Sequence, residues 1–242
     1  MDKTILILHG WGSSLKSWIG VKEILEKKGN RVFVPDLPGF GESSLPEKPW
    51  SVSDYVEWVN KYAEKNNLSQ FFLSGHSFGG RIAIKLSAKY LEKVSGLILI
   101  DSAGLDREKN LSFRQRIVFN FSKVRNIIVS FPFLGKILYP FFQKLSYFLA
   151  GNRDYYLIKN QVMKETFKKV ISEDLSSLLP EIKAKTLIVW GEKDKLTPLE
   201  SAFLIKKKVS NSILEVIPKI GHNPHLEAPD ILADKILKFI QK

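Results

Sequence analysis

The feature that most constrains the fold is a regular alternation of short apolar runs with amphipathic segments. Six runs are nearly continuous in apolar residues, as expected for strands that are buried on both faces of a parallel sheet. They are TILIL (4–8), RVFVP (31–35), QFFLS (70–74), SGLILI (95–100), KTLIVW (185–190) and SILEVI (212–217). Helical periodicity occurs between them, at 17–28, 53–65, 80–90, 199–208 and 229–241. The alternation predicts an α/β fold with a doubly wound, mostly parallel sheet of about six strands.

The alternation breaks between the fourth and fifth runs. Residues 105–180 contain no strand-like run, but helical stretches occupy 113–131, 134–150 and 155–172. This segment carries 13 Lys and Arg against six Asp and Glu, and it holds nine of the 16 phenylalanines. We predict that 105–180 is a helical cap inserted over the sheet, and that residues 1–104 and 181–242 form the core.

Composition excludes several classes of protein. Cysteine is absent from the 242 residues, which rules out a disulfide framework and a thiolate metal site. No apolar run approaches the ~20 residues of a membrane span, and the N-terminus lacks the apolar stretch of a signal peptide. We therefore expect a cytoplasmic protein.

The second helix is expected to begin near Ser53, a residue type that caps helices.

The segment FFLSGHSFGGRIAIKLSA (71–88) carries a serine between a predicted strand and a predicted helix. So short a connection forces the central residue, Ser77, into strained backbone geometry and brings strand and helix close together. Gly75 and Gly79 remove the side chains that would collide in such a turn. The free N–H groups at the start of the helix favour negative charge nearby. Ser77 is therefore a candidate nucleophile, although a tight turn that merely contains a serine is the alternative.

A serine hydroxyl needs a base to take its proton and a carboxylate to orient that base. His222 follows the last predicted strand, and Asp194 follows the preceding one, so both are expected at the same sheet edge as Ser77. Asp101 also ends a strand and is an alternative acid, or else it organises a loop by a hydrogen bond. His225 is an alternative base.

Metal ions and cofactors are not indicated. His222 and His225 are spaced as two ligands on one turn, but no third ligand has suitable spacing. The glycine-containing segments GWGSSL and GFGESS lack the third glycine of a dinucleotide fingerprint. We expect neither a metal nor a nucleotide cofactor, and no nucleic-acid partner.

The chain resembles the α/β-hydrolase superfamily over nearly its whole length. The matching segments are HGWG (9–12), DLPGFGES (36–43), GHSFGG (75–80), DSAG (101–104), GEKDKLTP (191–198) and GHNPHLEAPD (221–230). The order of Ser77, Asp194 and His222 is the nucleophile–acid–base order of that superfamily. The resemblance implies a Ser-His-Asp triad, an oxyanion hole formed by the backbone N–H groups of Trp11 and Phe78, and a mobile helical cap at 105–180.

The resemblance departs from the superfamily pattern at the first strand. Family members usually open with two further strands, whereas only three residues precede the first apolar run here. We therefore expect an α/β-hydrolase fold that lacks the first two strands, with strand order 2-1-3-4-5-6 and the site at the point where that order reverses.

The expected activity is hydrolysis of carboxylic esters or thioesters of hydrophobic acyl groups through an acyl-enzyme. Within the superfamily, the closest likeness is to pimeloyl-acyl-carrier-protein methyl ester esterases. The basic cap would then meet an acidic acyl carrier protein or an anionic membrane surface. Other hypotheses are a lysophospholipase or monoacylglycerol lipase, a C–C bond hydrolase, a perhydrolase, and a non-catalytic binding protein on the same scaffold.

Overall fold

The computed structural model describes residues 3–105 and 158–241, and all six predicted strands lie in these ranges. The strands are β1 (Thr4–Leu8), β2 (Arg31–Phe33), β3 (Phe71–His76), β4 (Val94–Ile100), β5 (Thr186–Gly191) and β6 (Ser212–Ile217). Neighbouring strands are parallel throughout, in the spatial order β2-β1-β3-β4-β5-β6. The predicted doubly wound parallel sheet and its strand order are confirmed.

Helices occupy the connections between the strands. Those of the described ranges are α1 (Ile19–Lys27), α2 (Val52–Lys65), α3 (Phe78–Lys89), α4 (Gln161–Ser172), α5 (Leu199–Lys208), α6 (Pro224–Glu227) and α7 (Pro229–Ile240). Short 3-10 turns, Leu15–Trp18 and Leu179–Glu181, precede α1 and β5. All five helices predicted outside the insertion are present, and α6 is an additional short turn of helix between β6 and α7.

The start of α2 corrects one sequence expectation. The helix begins at Val52, so Ser53 lies inside it and does not cap it. Ser51 is the N-cap, because its hydroxyl accepts the Asp54 N–H while the Asp54 carboxylate accepts the Ser51 N–H at 2.7 Å. This reciprocal capping box satisfies two N–H groups that the first helical turn leaves without partners.

The core consists of two layers, one on each face of the sheet. Successive side chains of a strand point to opposite faces. Accordingly, Leu6 and Leu8 of β1 pack with α2, α3 and α5, whereas Ile5 and Ile7 pack with α1 and α7. Because both faces are covered, every side chain of the central strands can be apolar, which explains the continuous rather than alternating runs in the sequence.

Part of the predicted insertion lies within the described residues. Helix α4 starts at Gln161, not at 155, because the Asn160 side chain accepts the Met163 N–H at 3.1 Å and caps the helix there. The Thr166 hydroxyl of α4 accepts the Trp50 N–H at 3.0 Å, so this helix is hydrogen-bonded to the loop before α2. The helices predicted at 113–131 and 134–150 lie outside the described residues, and the division into core and cap stays a prediction.

Candidate active site

Ser77 lies between the end of β3 and the start of α3 in a strained backbone conformation. Its φ of 50° and ψ of −111° fall in a region that L-residues rarely adopt. Such strain costs about 1–3 kcal/mol and persists only where the surroundings enforce it. A sharp, strained turn from strand to helix is the geometry of a nucleophile elbow, which presents the central side chain above the sheet edge.

The glycines predicted for this elbow are enforced by close backbone contacts. A Cβ atom on Gly79 would overlap the Leu8 carbonyl of β1, and one on Gly75 would lie 2.8 Å from the Ala83 Cβ of α3. Both distances are shorter than those that real Cβ atoms show. Larger residues at these two positions would therefore keep the helix and the sheet apart. The two glycines therefore permit the close packing that fixes the elbow.

The loop after β1 lies against the elbow. A Cβ atom on Gly10 would be only 3.5 Å from the Cβ of Ser77. Trp11 follows Gly10 and Phe78 follows Ser77, and their rings meet edge to face with centroids 5.2 Å apart. The two backbone N–H groups expected to form an oxyanion hole thus belong to adjoining segments on either side of Ser77, and their role stays a prediction.

An aromatic wall extends from this contact toward α4. We give that name to Trp11, Phe40, Phe78 and Phe167. The Trp11 ring lies at its centre, with centroid distances of 4.8 Å to Phe40 and 4.9 Å to Phe167. Because Trp11 is only partly buried, the wall presents apolar aromatic surface next to the elbow. Such a surface suits an apolar ligand.

Asp194 lies in the loop after β5 and is held by several donors. Its Oδ1 accepts the N–H groups of Leu196 at 2.7 Å and Thr197 at 3.1 Å, and the Thr197 hydroxyl lies 2.5 Å from Oδ2. The Asp194 side chain is fully buried. Burial alone would raise its pKa, but the bonds and charge of His222 and the bonds from Thr197 outweigh it and hold the pKa below its usual value.

His222 lies in the loop after β6 and is hydrogen-bonded to Asp194. Its Nδ1 lies 2.7 Å from Asp194 Oδ2. Since a carboxylate only accepts, Nδ1 carries the proton and Nε2 is left as an acceptor, which is the form a general base requires. Within the described residues no hydrogen bond joins His222 to Ser77; catalytic hydrogen bonds of this kind often tighten only when substrate binds.

Glu227 of α6 fixes the loop that carries His222. One of its oxygens accepts the Gly221 N–H at 2.8 Å and the other accepts the Asn223 N–H at 3.1 Å. These are the residues on either side of His222, so one carboxylate ties down both of its neighbours. Charge-assisted bonds of this kind are about twice as strong as neutral ones.

Asp101 directly follows β4, and its hydrogen bond is not the one expected of a triad acid. Its Oδ1 accepts the N–H of Gly191 at 2.9 Å, which ties the end of β4 to the end of β5. This is the loop-organising hydrogen bond that the sequence offered as the alternative to an acid role. Burial raises the pKa of Asp101 to about 9; the Gly191 N–H opposes this rise, and the nearby Asp194 charge adds to it.

Two buried histidines, His76 and His225, lie near His222. His225 is buried and stacks on Trp18 at 4.4 Å, and His222 rather than His225 contacts Asp194. Burial, followed by the nearby His222 and His9, lowers the pKa of His225 to about 4. His76 is also buried, and its Nε2 donates to the His222 carbonyl at 2.7 Å. His76 is thus hydrogen-bonded to the His222 loop, and the His225 ring lies against His76 with centroids 4.6 Å apart.

Asp101, Asp194 and His222 form a compact acid–base cluster. One ligand-type atom of each lies within 4.8 Å of the others. We interpret this cluster as hydrogen-bonded rather than metal-binding, because His222 Nδ1 and Asp194 Oδ2 already share a proton. Within the described ranges no other group of three such residues has metal-like spacing.

Sequence reasoning overlooked Thr197 and Glu227, although Thr197 had a local signal. Thr197 stands three residues after Asp194 in GEKDKLTP, a spacing at which a hydroxyl and a backbone N–H can both reach the preceding carboxylate. Glu227 stands five residues after His222, but its bonds to both neighbours of His222 depend on the turn of α6, which no local pattern predicts.

The chain is similar to known proteins over nearly its whole length. A family model described as the alpha/beta hydrolase fold matches residues 3–229. Human monoacylglycerol lipase ABHD6 is 28% identical over 253 residues, covering 98% of this chain and 75% of the human protein. A 2-hydroxy-6-oxononadienedioate/2-hydroxy-6-oxononatrienedioate hydrolase of Escherichia coli is 26% identical over 258 residues, covering 100% of this chain and 88% of that protein.

Solved structures share the same architecture. The crystal structure of a membrane phospholipase A, described as a bacterial virulence factor, matches with a TM-score of 0.70 and 26% identity. The match covers 99% of this chain and 79% of that one. In the part of this chain that the structure describes, no helix has the length and apolar character needed to cross a bilayer.

Proposed function

The chain belongs to the α/β-hydrolase fold family, and on that premise we propose that it is a serine hydrolase of carboxylic esters with hydrophobic acyl groups. One observation carries the proposal: the hydrogen bond between His222 and Asp194 lies at the sheet edge where Ser77 occupies a strained elbow. A buried carboxylate, an imidazole with a free Nε2 and a serine at an elbow are the components of nucleophilic acyl transfer.

The proposed reaction has two halves. Ser77 Oγ attacks the acyl carbonyl carbon while His222 Nε2 takes the hydroxyl proton, and the same nitrogen then gives that proton to the departing alcohol. Asp194 keeps the other imidazole proton on Nδ1 and stabilises the positive charge that develops on the ring. Water then attacks the acyl-enzyme, assisted again by His222, and releases the carboxylic acid.

The proposed oxyanion hole consists of the N–H groups of Trp11 and Phe78. Supporting observations are the proximity of Gly10 to Ser77 and the position of Phe78 at the first turn of α3. N–H groups at a helix start are free to donate, and the helix dipole favours negative charge there. Each such donor is typically worth about 3–4 kcal/mol of transition-state stabilisation.

We propose a hydrophobic acyl group because the aromatic wall borders the elbow and would contact the acyl chain of a substrate bound there. Two relatives point in the same direction, since they are named as a monoacylglycerol lipase and a membrane phospholipase A. We therefore favour an acylglycerol or related lipid ester over a thioester. The basic segment 105–180 supports a further proposal that the substrate is presented by an anionic membrane surface, with an acidic acyl carrier protein as the alternative.

A second candidate is hydrolysis of a C–C bond. It is supported by the Escherichia coli relative, which is named as a hydrolase of a hydroxy-oxo-dicarboxylate. Such a compound contains no ester bond, so its hydrolysis breaks a C–C bond. The same serine, histidine and aspartate would serve both reactions, so product analysis must separate them. Hydrolysis of an ester yields an acid and an alcohol. Hydrolysis of a C–C bond yields an acid and a second product that gains a C–H bond in place of the broken C–C bond, and it releases no alcohol.

The test is a panel of p-nitrophenyl esters from acetate to laurate, assayed with the wild type, Ser77→Ala and Ser74→Ala. Ser74 lies three residues earlier in β3, and its buried hydroxyl has no hydrogen-bond partner among the described residues, so it is a matched control. We expect Ser77→Ala to lose activity, Ser74→Ala to keep it, and longer chains to be preferred. Undiminished turnover by Ser77→Ala would refute the proposal.

Anionic surfaces can be tested separately by co-sedimentation of the wild type with vesicles. We expect binding to vesicles that contain phosphatidylglycerol and much weaker binding to phosphatidylcholine alone, because the net charge of the chain is +12. Equal binding to both compositions would remove the charge argument. Tight binding to an acidic acyl carrier protein with no vesicle binding would favour the alternative partner.

A further inference from the structure

Asp101 is a buried carboxyl group whose negative charge would have little compensation. Its side chain is wholly inaccessible, and Gly191 is the single hydrogen-bond donor found for it among the described residues. The second oxygen, Oδ2, is buried without a hydrogen-bond partner in that part of the chain. No described lysine or arginine forms an ion pair with Asp101.

The titratable groups around Asp101 come from four elements. Asp194 lies on the loop after β5, His222 on the loop after β6, Glu227 in α6 and His76 at the end of the adjacent β3. Two of these groups are carboxylates, and His76 is uncharged because burial, with the nearby His225 and His222, holds its pKa well below the usual value.

Two carboxylates within about 5 Å in a buried site do not both ionise readily. Asp194 and Asp101 are such a pair, since their oxygens lie within 4.8 Å of each other. The donors decide which of them takes the negative charge. Asp194 faces two backbone N–H groups, the Thr197 hydroxyl and the His222 imidazole, whereas Asp101 faces a single described donor, the N–H of Gly191.

We propose that Asp101 keeps its proton through the neutral pH range and acts as an uncharged positioning residue behind Asp194, which leaves Asp194 as the one carboxylate that orients His222. The proposal rests on the proposed function for its catalytic meaning, but the protonation of Asp101 can be tested without any activity. The proton stays on the Asp101 carboxyl during the reaction and is not transferred to substrate.

If Asp101 is protonated in the folded protein, the free energy of unfolding must fall as the pH rises. An aspartate in the unfolded chain ionises near its ordinary pKa of 3.8, whereas burial, followed by the charge of Asp194, raises the pKa of Asp101 to about 9 in the folded protein. Between these values the folded state holds one proton that the unfolded state lacks, so stability falls as pH rises. The equilibrium constant for unfolding gains up to about tenfold per pH unit from this group.

Urea unfolding of the wild type and Asp101→Asn across this pH range tests the proposal. The Asn side chain keeps the shape and the acceptor for Gly191 but cannot ionise. We expect the ratio of wild-type to Asp101→Asn unfolding constants to rise by up to about tenfold per pH unit. We expect Asp230→Asn, an exposed control in α7, to follow the wild type. A constant ratio for Asp101→Asn would overturn the proposal.

Two further measurements test the proposal without relying on catalysis, and the first needs no variant. Infrared spectra of the wild type should show the C=O band of a protonated carboxylic acid at neutral pH, and the band should disappear near pH 9. Its absence at neutral pH would overturn the proposal. Asp194→Asn should shrink the pH dependence assigned to Asp101, because the neighbouring charge is gone. An unchanged dependence would show that Asp194 is not the coupled carboxylate.

Discussion

Replacement of Asp194 by asparagine is predicted to invert the tautomer of His222. The carboxylate Oδ1 accepts two backbone N–H groups, from Leu196 and Thr197, which fix the position of an acceptor oxygen. The amide oxygen of the introduced side chain must occupy that place, so its NH₂ group takes the place of Oδ2. There it donates to His222 Nδ1, which moves the imidazole proton to Nε2 and removes the free base.

The magnitude follows from the loss of that base. A carboxylate-to-amide change that leaves geometry intact but inverts the tautomer lowers kcat by about 10⁴ in a serine protease triad. At about 1.36 kcal/mol for each factor of ten, this equals about 5 kcal/mol of lost transition-state stabilisation. KM should change little, because Asp194 is buried behind His222 and is not expected to touch the substrate.

The assay is steady-state hydrolysis of p-nitrophenyl butyrate by the wild type, Asp194→Asn and the exposed control Asp230→Asn. Circular dichroism and urea unfolding establish that each variant is folded before its rate is compared. A loss of less than about tenfold by folded Asp194→Asn would refute the tautomer argument, since a wrong tautomer cannot leave the base nearly intact.

Three further predictions concern stability. Gly79→Ala should cost more than about 3 kcal/mol or prevent folding, because its Cβ would overlap a backbone carbonyl of β1; urea unfolding measures this, and a near-neutral result would contradict the packing. Ser51→Ala should cost about 1 kcal/mol, whereas Ser53→Ala should stay within about 0.5 kcal/mol; the reverse order would restore Ser53 as the cap. Burial, followed by the nearby His222 and His9, lowers the pKa of His225 from 6.5 to about 4. On acidification between these values the unfolded state takes up a proton before the folded state does, so the free energy of unfolding falls. Thermal melts should show a smaller loss in His225→Gln than in the wild type, and parallel curves would contradict this prediction.

Local patterns predicted the six strands because each strand carries its own signal, whereas their order followed from the resemblance to the α/β-hydrolase superfamily. A strand buried on both faces needs a continuous apolar run, and a tight turn into a helix needs glycine at fixed offsets from Ser77. The same logic placed Asp194 and His222 at one edge of the sheet, since the carboxyl ends of parallel strands meet there. The structure brings those two side chains to 2.7 Å of each other.

The failures of sequence reasoning share a physical cause. Ser51 and Ser53 are equally good caps by type, and only the backbone of the first turn decides between them. The hydrogen bond from Gly191 to Asp101 joins residues 90 positions apart, so no local pattern contains it. Glu227 likewise acts through the fold of α6 onto both neighbours of His222. These contacts depend on tertiary packing rather than on propensity or spacing.

The most direct test of the account is covalent trapping at Ser77. The wild type would be treated with a fluorophosphonate probe, digested and analysed by mass spectrometry to locate the modified residue. We expect one adduct, on Ser77, with labelling absent from Ser77→Ala and much slower in Asp194→Asn. An enzyme that hydrolyses esters but carries the label on another residue, or carries none, would contradict it.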